Sequence, residues 1–231
     1  KKKYLQVMLE KQVDGLILVG SVFKERTDNK HIFAASQKAP VVMVNSLLEG
    51  ENIYSVVCDD LQGVKNAVDY LFQAGHREIY YLNDIKTYSG LAKIEGFIQG
   101  MRAHGLSEEN ILEVDRSIEA GFDGVQRLLA EGRRITALIT GEDITAVGAL
   151  KALRVSGLNV PDEVAVIGYN NSILAEVSTP SLTSIDNLSE AMGRNAVQIL
   201  YHALQGKQTF QRLMLVPNLV LRESTTEQMR S

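Results

Sequence analysis

The stretch VAVIGYNNS, residues 164–172, decides how the rest of the chain is read. Val164, Ala165, Val166 and Ile167 run without a polar residue, and then Gly168, Tyr169 and two asparagines arrive together. A strand buried on both faces has a continuous apolar run, whereas a one-sided strand alternates. A run this short, closed by glycine and asparagine, reads as a central strand of a parallel sheet. Asn170 and Asn171 at its end are open to two readings. One is a turn, because asparagine tolerates left-handed backbone. The other is a ligand contact, because parallel sheets bind ligands beyond the carboxyl ends of their strands.

Working outward, the same pattern recurs. Residues 14–20 (DGLILVG), 40–45 (PVVMVN), 54–60, 77–83, 111–115 and 137–140 read as strands. Between or before them lie helical patterns at 2–11, 28–39, after Asp60 with apolar residues at Val64, Ala67, Val68, Leu71 and Phe72, then 90–104, 119–131 and 143–156. Residues 181–185 read as a short extended piece, 189–205 as a long helix and 212–223 as an extended run holding Pro217. Gly75, Gly105, Gly157 and Gly206 follow helices in the position of C-cap glycines. Strands alternating with helices imply parallel βαβ units covered on both faces, an α/β fold. Two successive runs imply two similar lobes. Pro217 interrupts the last extended run, since proline donates no backbone hydrogen bond to a ladder. It reads as the point where the chain passes from one lobe to the other.

The 231 residues, 45% hydrophobic, suffice for such a pair of cores, and the net charge of -4 argues against the chain itself being a nucleic-acid surface. The single cysteine, Cys58, excludes an internal disulfide and fits a reducing compartment; it reads as core. No apolar run approaches the ~20 residues that span a bilayer, and no signal peptide is visible. The opening KKKYLQVMLEK has no Met at its start and is already helical in pattern, which suggests that the sequence begins inside a longer chain.

The expected strand ends carry Gly20-Ser21, Asn45-Ser46, Asp59-Asp60, Asn83-Asp84, Asp115-Arg116, Gly141-Glu142-Asp143 and Asn170-Asn171. Asp143 by itself reads as a helix N-cap. Together these carboxylates, amides and hydroxyls are what a polyol needs, because its hydroxyls both donate and accept. Enzyme signatures are missing: there is no G-x-G-x-x-G after a strand, no phosphate-binding P-loop and no G-x-S-x-G elbow. His31, His76, His104 and His202 have no metal-ligand spacing, and His76 reads as a turn residue. No catalytic site, metal or cofactor is expected.

Several stretches carry a resemblance: QVDGLILVG, APVVMVN, SVVCDDLQGVKNAVDYLFQAGHREIYYL, KIEGFIQGMRAHGL, ALITGEDITAVGALKALRVSGLNVPDEVAVIGYNNS, STPSLTSIDN and LVPNLVLREST. Over essentially its whole length the chain resembles the effector-binding core of LacI/GalR transcription regulators. Gly148-Ala149-Leu150, Val160-Pro161, Gly168-Tyr169, Pro180-x-Leu182-Thr183 and Arg222-Glu223-Ser224-Thr225 carry most of the specificity, and Gly75-His76-Arg77 also fits.

The resemblance implies two flavodoxin-like lobes with parallel sheets, in the manner of type I periplasmic binding proteins, and a ligand cleft between them. It places 1–75 and 188–216 in the N-terminal lobe, and 76–187 and 217–231 in the C-terminal lobe. The helix-turn-helix, the hinge helix and the first β-α-β of the family precede the quoted stretches, so the N-terminal lobe is expected to be incomplete as written. Its strand at 14–20 would be an open edge, to be covered by upstream residues or by another chain.

Carried over position by position, the effector-facing residues are Asp60, Ser89, Lys93, Arg116, Glu142, Asn170 and Asn187. Lys93 stands where the family usually has arginine, Glu142-Asp143 where it has Asn-Asp, and Asn170-Asn171 where it has Asp-Asp. Arg116 stands where an aromatic often faces the ligand. Two cations converging on one site would favour a phosphate or carboxylate. Pairing of Arg116 and Lys93 with Glu142 and Asp60 would leave a site for a neutral polyol. The implied function is a cytoplasmic, ligand-responsive regulator. Its effector is a sugar, sugar phosphate or sugar acid, and it reaches operator DNA only through the missing N-terminal domain, with no membrane partner. A solute-binding protein of a sugar transporter is the alternative. The resemblance also implies a homodimer, with Ile173, Leu174 and Val177 at the contact.

Overall fold

In the computed structural model, residues 2–25 and 27–225 are described; residues 226–231, which the sequence grouping assigned to the C-terminal lobe, lie outside them. The elements in chain order are α1 (Lys2–Glu10), β1 (Leu16–Val19), a short 3-10 turn at Ser21–Phe23, α2 (Lys30–Ser36), β2 (Val41–Val44), β3 (Ile53–Cys58), α3 (Asp60–Gln73), β4 (Ile79–Asn83), α4 (Tyr88–Ala103), β5 (Ile111–Glu113), α5 (Ile118–Ala130), β6 (Ala137–Thr140), α6 (Asp143–Val155), β7 (Ala165–Tyr169), α7 (Ile173–Val177), β8 (Thr183–Asp186), α8 (Ser189–Leu204), β9 (Arg212–Leu215) and β10 (Asn218–Val220). They form two compact units. The first contains the described residues up to Asp59 with Thr87–Ser89 and Leu188–Leu215; the second contains Asp60–Lys86, Gly90–Asn187 and the described residues from Val216 on.

The first unit is built on a four-stranded sheet of order β1-β2-β3-β9, parallel throughout. Its strands are apolar without alternation because both faces are covered. Val41 and Met43 point to the side where Leu5 of α1 and Ile32 and Ala35 of α2 pack. Val42 and Val44, one residue out of phase, point to Met192, Ala196 and Ile199 of α8. Cys58 is buried in that second layer, as its setting in the sequence suggested. β1 is the edge strand, and Val19 at its end is exposed.

The second unit holds a six-stranded sheet of order β10-β8-β7-β6-β4-β5, parallel except for the β10–β8 pair. The same two-residue period sorts its side chains. Tyr80, Leu82, Leu138, Val164 and Val166 meet α5 and α6. Ile79, Tyr81, Ile139, Ile167 and Tyr169 meet α3 and α4. Pro217 marks the crossing expected of it: β9 before it belongs to the first sheet and β10 after it to the second.

One grouping differs from the sequence reading. Residues 60–75 were placed with the N-terminal lobe, but α3 packs on the second sheet. Val64, Ala67, Val68 and Leu71 are fully buried against Ile79, Tyr81, Phe97 and Met101. An amphipathic pattern shows that a helix buries one stripe and does not say which sheet receives it. Leu71→Ala is therefore expected to destabilise the second unit by about 2–5 kcal/mol, the range for truncating a fully buried leucine. Urea unfolding followed by hydrogen exchange of the β4 and β6 amides checks it; unchanged protection there would place α3 elsewhere.

Candidate functional site: the carboxyl edge of the second sheet

β4, β6 and β7 are adjacent or near neighbours running the same way, so Asn83-Asp84, Gly141-Glu142 and Asn170-Asn171 follow strands that end on one edge of the sheet. The first residues of α3 and the middle of α4 bring further groups to it. Lys93 of α4 is 2% exposed, and its ammonium donates to the Gly141 carbonyl at 2.8 Å. It also lies 3.5 Å from the centroid of the Tyr169 ring, a cation–π contact in a desolvated place. The Tyr169 hydroxyl donates to Asp60 Oδ1 at 2.5 Å. Asp60, Tyr169 and Lys93 thus form one connected group inside the second unit.

Arg116 and Glu142 pair at 3.3 Å, the arginine exposed and the glutamate half-buried. Asn187 donates from Nδ2 to Asn170 Oδ1 at 2.8 Å. Both Asn170 and Asn171 have positive φ, 102° and 50°, the backbone that asparagine tolerates better than most residues. The backbone of both residues fits the turn reading. Asn171 is a turn residue whose Oδ1 accepts from Arg222 at 2.7 Å and whose amide donates to Ser184. Asn170 carries the contact to Asn187. Ser89 is buried and falls in the short segment grouped with the first unit, so it is the one carried-over residue outside this cluster.

Asp143 is not the N-cap of α6. Glu142 holds that place, and its side chain makes no capping bond. The Asp143 carboxylate is turned inward, accepting from the Ser184 hydroxyl at 2.6 Å and from the amide and hydroxyl of Ser172. Burial raises its pKa, and these hydrogen bonds oppose the rise. The residue ties the turn after β7 to β8.

Two groups at this edge had no place among the effector-facing residues carried over from the resemblance. Asp84, 8% exposed, accepts the Thr145 hydroxyl on Oδ2, while its Oδ1 has no hydrogen-bond partner. The Tyr81 hydroxyl is fully buried and likewise without one. Burial pushes the Asp84 carboxyl up to about 6, against the pull of Thr145 and the Lys93 ammonium. Burial, then the nearby Asp84 charge, drives the Tyr81 pKa well up. Tyr81 is hidden in the sequence because REIYYLN reads as an apolar strand run, in which a hydroxyl carries no signal. Asp84 could have been found: it was one of the polar strand ends.

Among the described residues, no group of three or more His, Cys, Asp or Glu is placed to hold a metal ion, and no helix is long and apolar enough to cross a membrane. The pattern of periplasmic binding protein-like domains matches residues 68–225, more than half of the chain. An HTH-type transcriptional regulator of Lachnoclostridium phytofermentans is 35% identical over 97% of this chain and 69% of its own length. Among solved structures, the chain is similar to the transcriptional regulator CelR in its cellobiose complex, with a TM-score of 0.84 at 27% identity over 96% of this chain and 69% of that one. It is also similar to a LacI-family sugar-binding transcriptional regulator of Escherichia coli complexed with phosphate, with a TM-score of 0.86 at 27% identity over 96% and 81%. These relatives are regulators, which disfavours the transporter alternative. The two parallel sheets, the crossing at Pro217 and the matched pattern agree: this chain belongs to the periplasmic binding protein-like domains, as the effector-binding core of a LacI/GalR-type transcription regulator.

Proposed function

We propose that the chain senses a neutral, hydroxyl-rich small molecule of the sugar class, taken at the edge formed by Asp60, Lys93, Arg116, Glu142, Asn170 and Asn187. The observation that carries this reading is how the two cations are used. Arg116 is engaged by Glu142, and the Lys93 ammonium is directed at the Gly141 carbonyl and the Tyr169 ring. They do not converge as a clamp on an anion, while amides and carboxylates suited to hydroxyls dominate the edge. The cellobiose bound by CelR is a ligand of this chemistry. Effector binding then works by population shift: it favours one of two states of the longer protein, and a helix-turn-helix domain outside this chain reads the operator in the cytoplasm.

Thermal unfolding with cellobiose, glucose, glucose 6-phosphate and gluconate tests the reading. A ligand at ~100 times its Kd adds about 2.7 kcal/mol of stability. A neutral sugar is expected to raise the midpoint, and Lys93→Ala to abolish the rise. A rise with the phosphate or the acid alone, or with none of the four, overturns it.

The homodimer belongs to the same proposal. On α7, Ile173 and Val177 are 66% and 65% exposed, and Leu174 is half-buried. Two large apolar side chains one helical turn apart on the surface suit a two-fold contact. Sedimentation is expected to show a dimer, and Ile173→Asp with Val177→Asp a monomer. A wild-type monomer at micromolar concentration counts against it.

A further inference from the structure

Gly141, the first residue after β6, is approached from two directions. The Lys93 ammonium takes its carbonyl oxygen at 2.8 Å. On the other side Asp84 lies so close that a Cβ on Gly141 would stand 2.0 Å from Asp84 Oδ1 and 3.4 Å from the Tyr81 hydroxyl. Asp84 Oδ2 meanwhile accepts from Thr145, in the first turn of α6. Gly141 is therefore hydrogen-bonded by a cation and closely approached by a carboxylate, and the two charges attract each other. Oδ1 of that carboxylate is buried without a donor. Buried polar atoms in folded proteins are nearly always hydrogen-bonded, so such an atom calls for an explanation.

We propose that Asp84 is a proton-dependent positioning residue for the effector edge: as a carboxylate it holds the Gly141–Glu142 turn together with Lys93, and as a neutral acid it lets that turn shift. The ionised form places a negative charge on a buried side chain whose Oδ1 lacks a hydrogen-bond partner. Proton uptake removes the desolvation penalty of the charge. It also ends the attraction between Asp84 and Lys93, so the edge gains one unit of positive charge beside Glu142 and Asp60. The groups facing Asp84 are Lys93 from α4, Glu142 from the turn, Thr145 from α6 and Tyr81 from its own strand; Thr145, Lys93 and the Asp84 backbone amide favour the carboxylate, and Glu142 opposes it. The burial that raises the Asp84 pKa to about 6 puts this change within reach of modest acidification. Resting on the effector reading above, the consequence is a site whose tolerance of negative charge on the ligand increases as pH falls.

The test needs no effector. In the isotope-labelled chain, the Asp84 carboxyl carbon and the Gly141, Glu142 and Thr145 amides are followed by NMR on either side of pH 6. All four are expected to move together with one midpoint at about 6. Asp84→Asn is expected to abolish the amide changes, and Glu142→Gln to leave those of Gly141 and Thr145 in place. Flat amides in the wild type, amides that still titrate in Asp84→Asn, or loss of the Gly141 and Thr145 changes in Glu142→Gln overturns the proposal. Should Asp84→Asn not fold, the wild-type carboxyl carbon alone decides: a midpoint that differs from that of the amides rejects the link. None of these outcomes depends on which sugars stabilise the chain, so failure of the effector reading shows separately.

Discussion

Gly148→Ala is expected to cost about 3 kcal/mol or more, at the upper end of overpacking substitutions. Gly148 lies where α6 touches α5. A Cβ there would stand 2.0 Å from the Ile118 carbonyl oxygen and 2.8 Å from the Phe122 amide nitrogen. Both are backbone atoms of α5, so no side-chain rotation relieves the clash and the helices must separate. Gly121 makes the reciprocal approach, with its Cβ position 2.2 Å from the Thr145 carbonyl oxygen. Separation would open the apolar layer of Val125, Leu128, Ala149 and Leu153. Gly193 in α8 is the control, because a Cβ there meets nothing within 4 Å. Gly193→Ala is expected to stabilise by about 0.5–1 kcal/mol through helix propensity. Urea midpoints of the two variants should move in opposite directions; a Gly148→Ala protein as stable as the wild type would show that the helices yield without loss.

Asp84→Asn is expected to stabilise the chain at pH 7 by up to about 3 kcal/mol, the linkage value for a carboxyl raised from 3.8 to about 6. The raised folded-state pKa means that the protonated form contributes stability in full below the unfolded value of 3.8, and that this contribution is lost as pH rises through about 6. The amide resembles the neutral acid and keeps that contribution at every pH. The advantage of the variant should therefore be greatest above about pH 6 and shrink as the pH falls towards the unfolded value. Equilibrium unfolding at a series of pH values checks both sign and window. A destabilised variant at neutral pH, or an advantage independent of pH, would contradict the burial argument.

The sheets were legible in the sequence because strands covered on both faces have to be apolar throughout, and Val41–Val44 and Ala165–Tyr169 are buried from end to end. The crossing was legible because one proline interrupts one extended run. The partner of α3 was not, because the stripe Val64, Ala67, Val68 and Leu71 would suit either sheet. Lys93 and Asp60 were named by their places in a familiar pattern, but the link between them, which runs through Tyr169, was not, because its ring and hydroxyl serve different partners. Asp84 and Tyr81 were missed as a pair for a related reason. What makes them unusual is the lack of a hydrogen-bond partner for Oδ1 and the hydroxyl, and that depends on groups from β6 and α6 far along the chain.

The return of the chain through both sheets also bears on how the protein is made. The first sheet receives its fourth strand only when Arg212–Leu215 pairs with Ser55–Cys58. The second receives β10 a few residues later, and Ser224 then bonds to Val166 and Thr183. A ribosome delivers residues in order, at roughly 5–20 per second. From the emergence of Thr183–Asp186 until residues 212–220 follow, the nascent polypeptide therefore carries two unfinished sheets with open edges at β3 and β8. Neither half can close early and shelter the other, and both are completed within the same short interval as residues 212–225 emerge. Translation that stalls before that interval leaves a product exposing two strand edges at once, which makes it a natural client for chaperones that bind extended apolar segments.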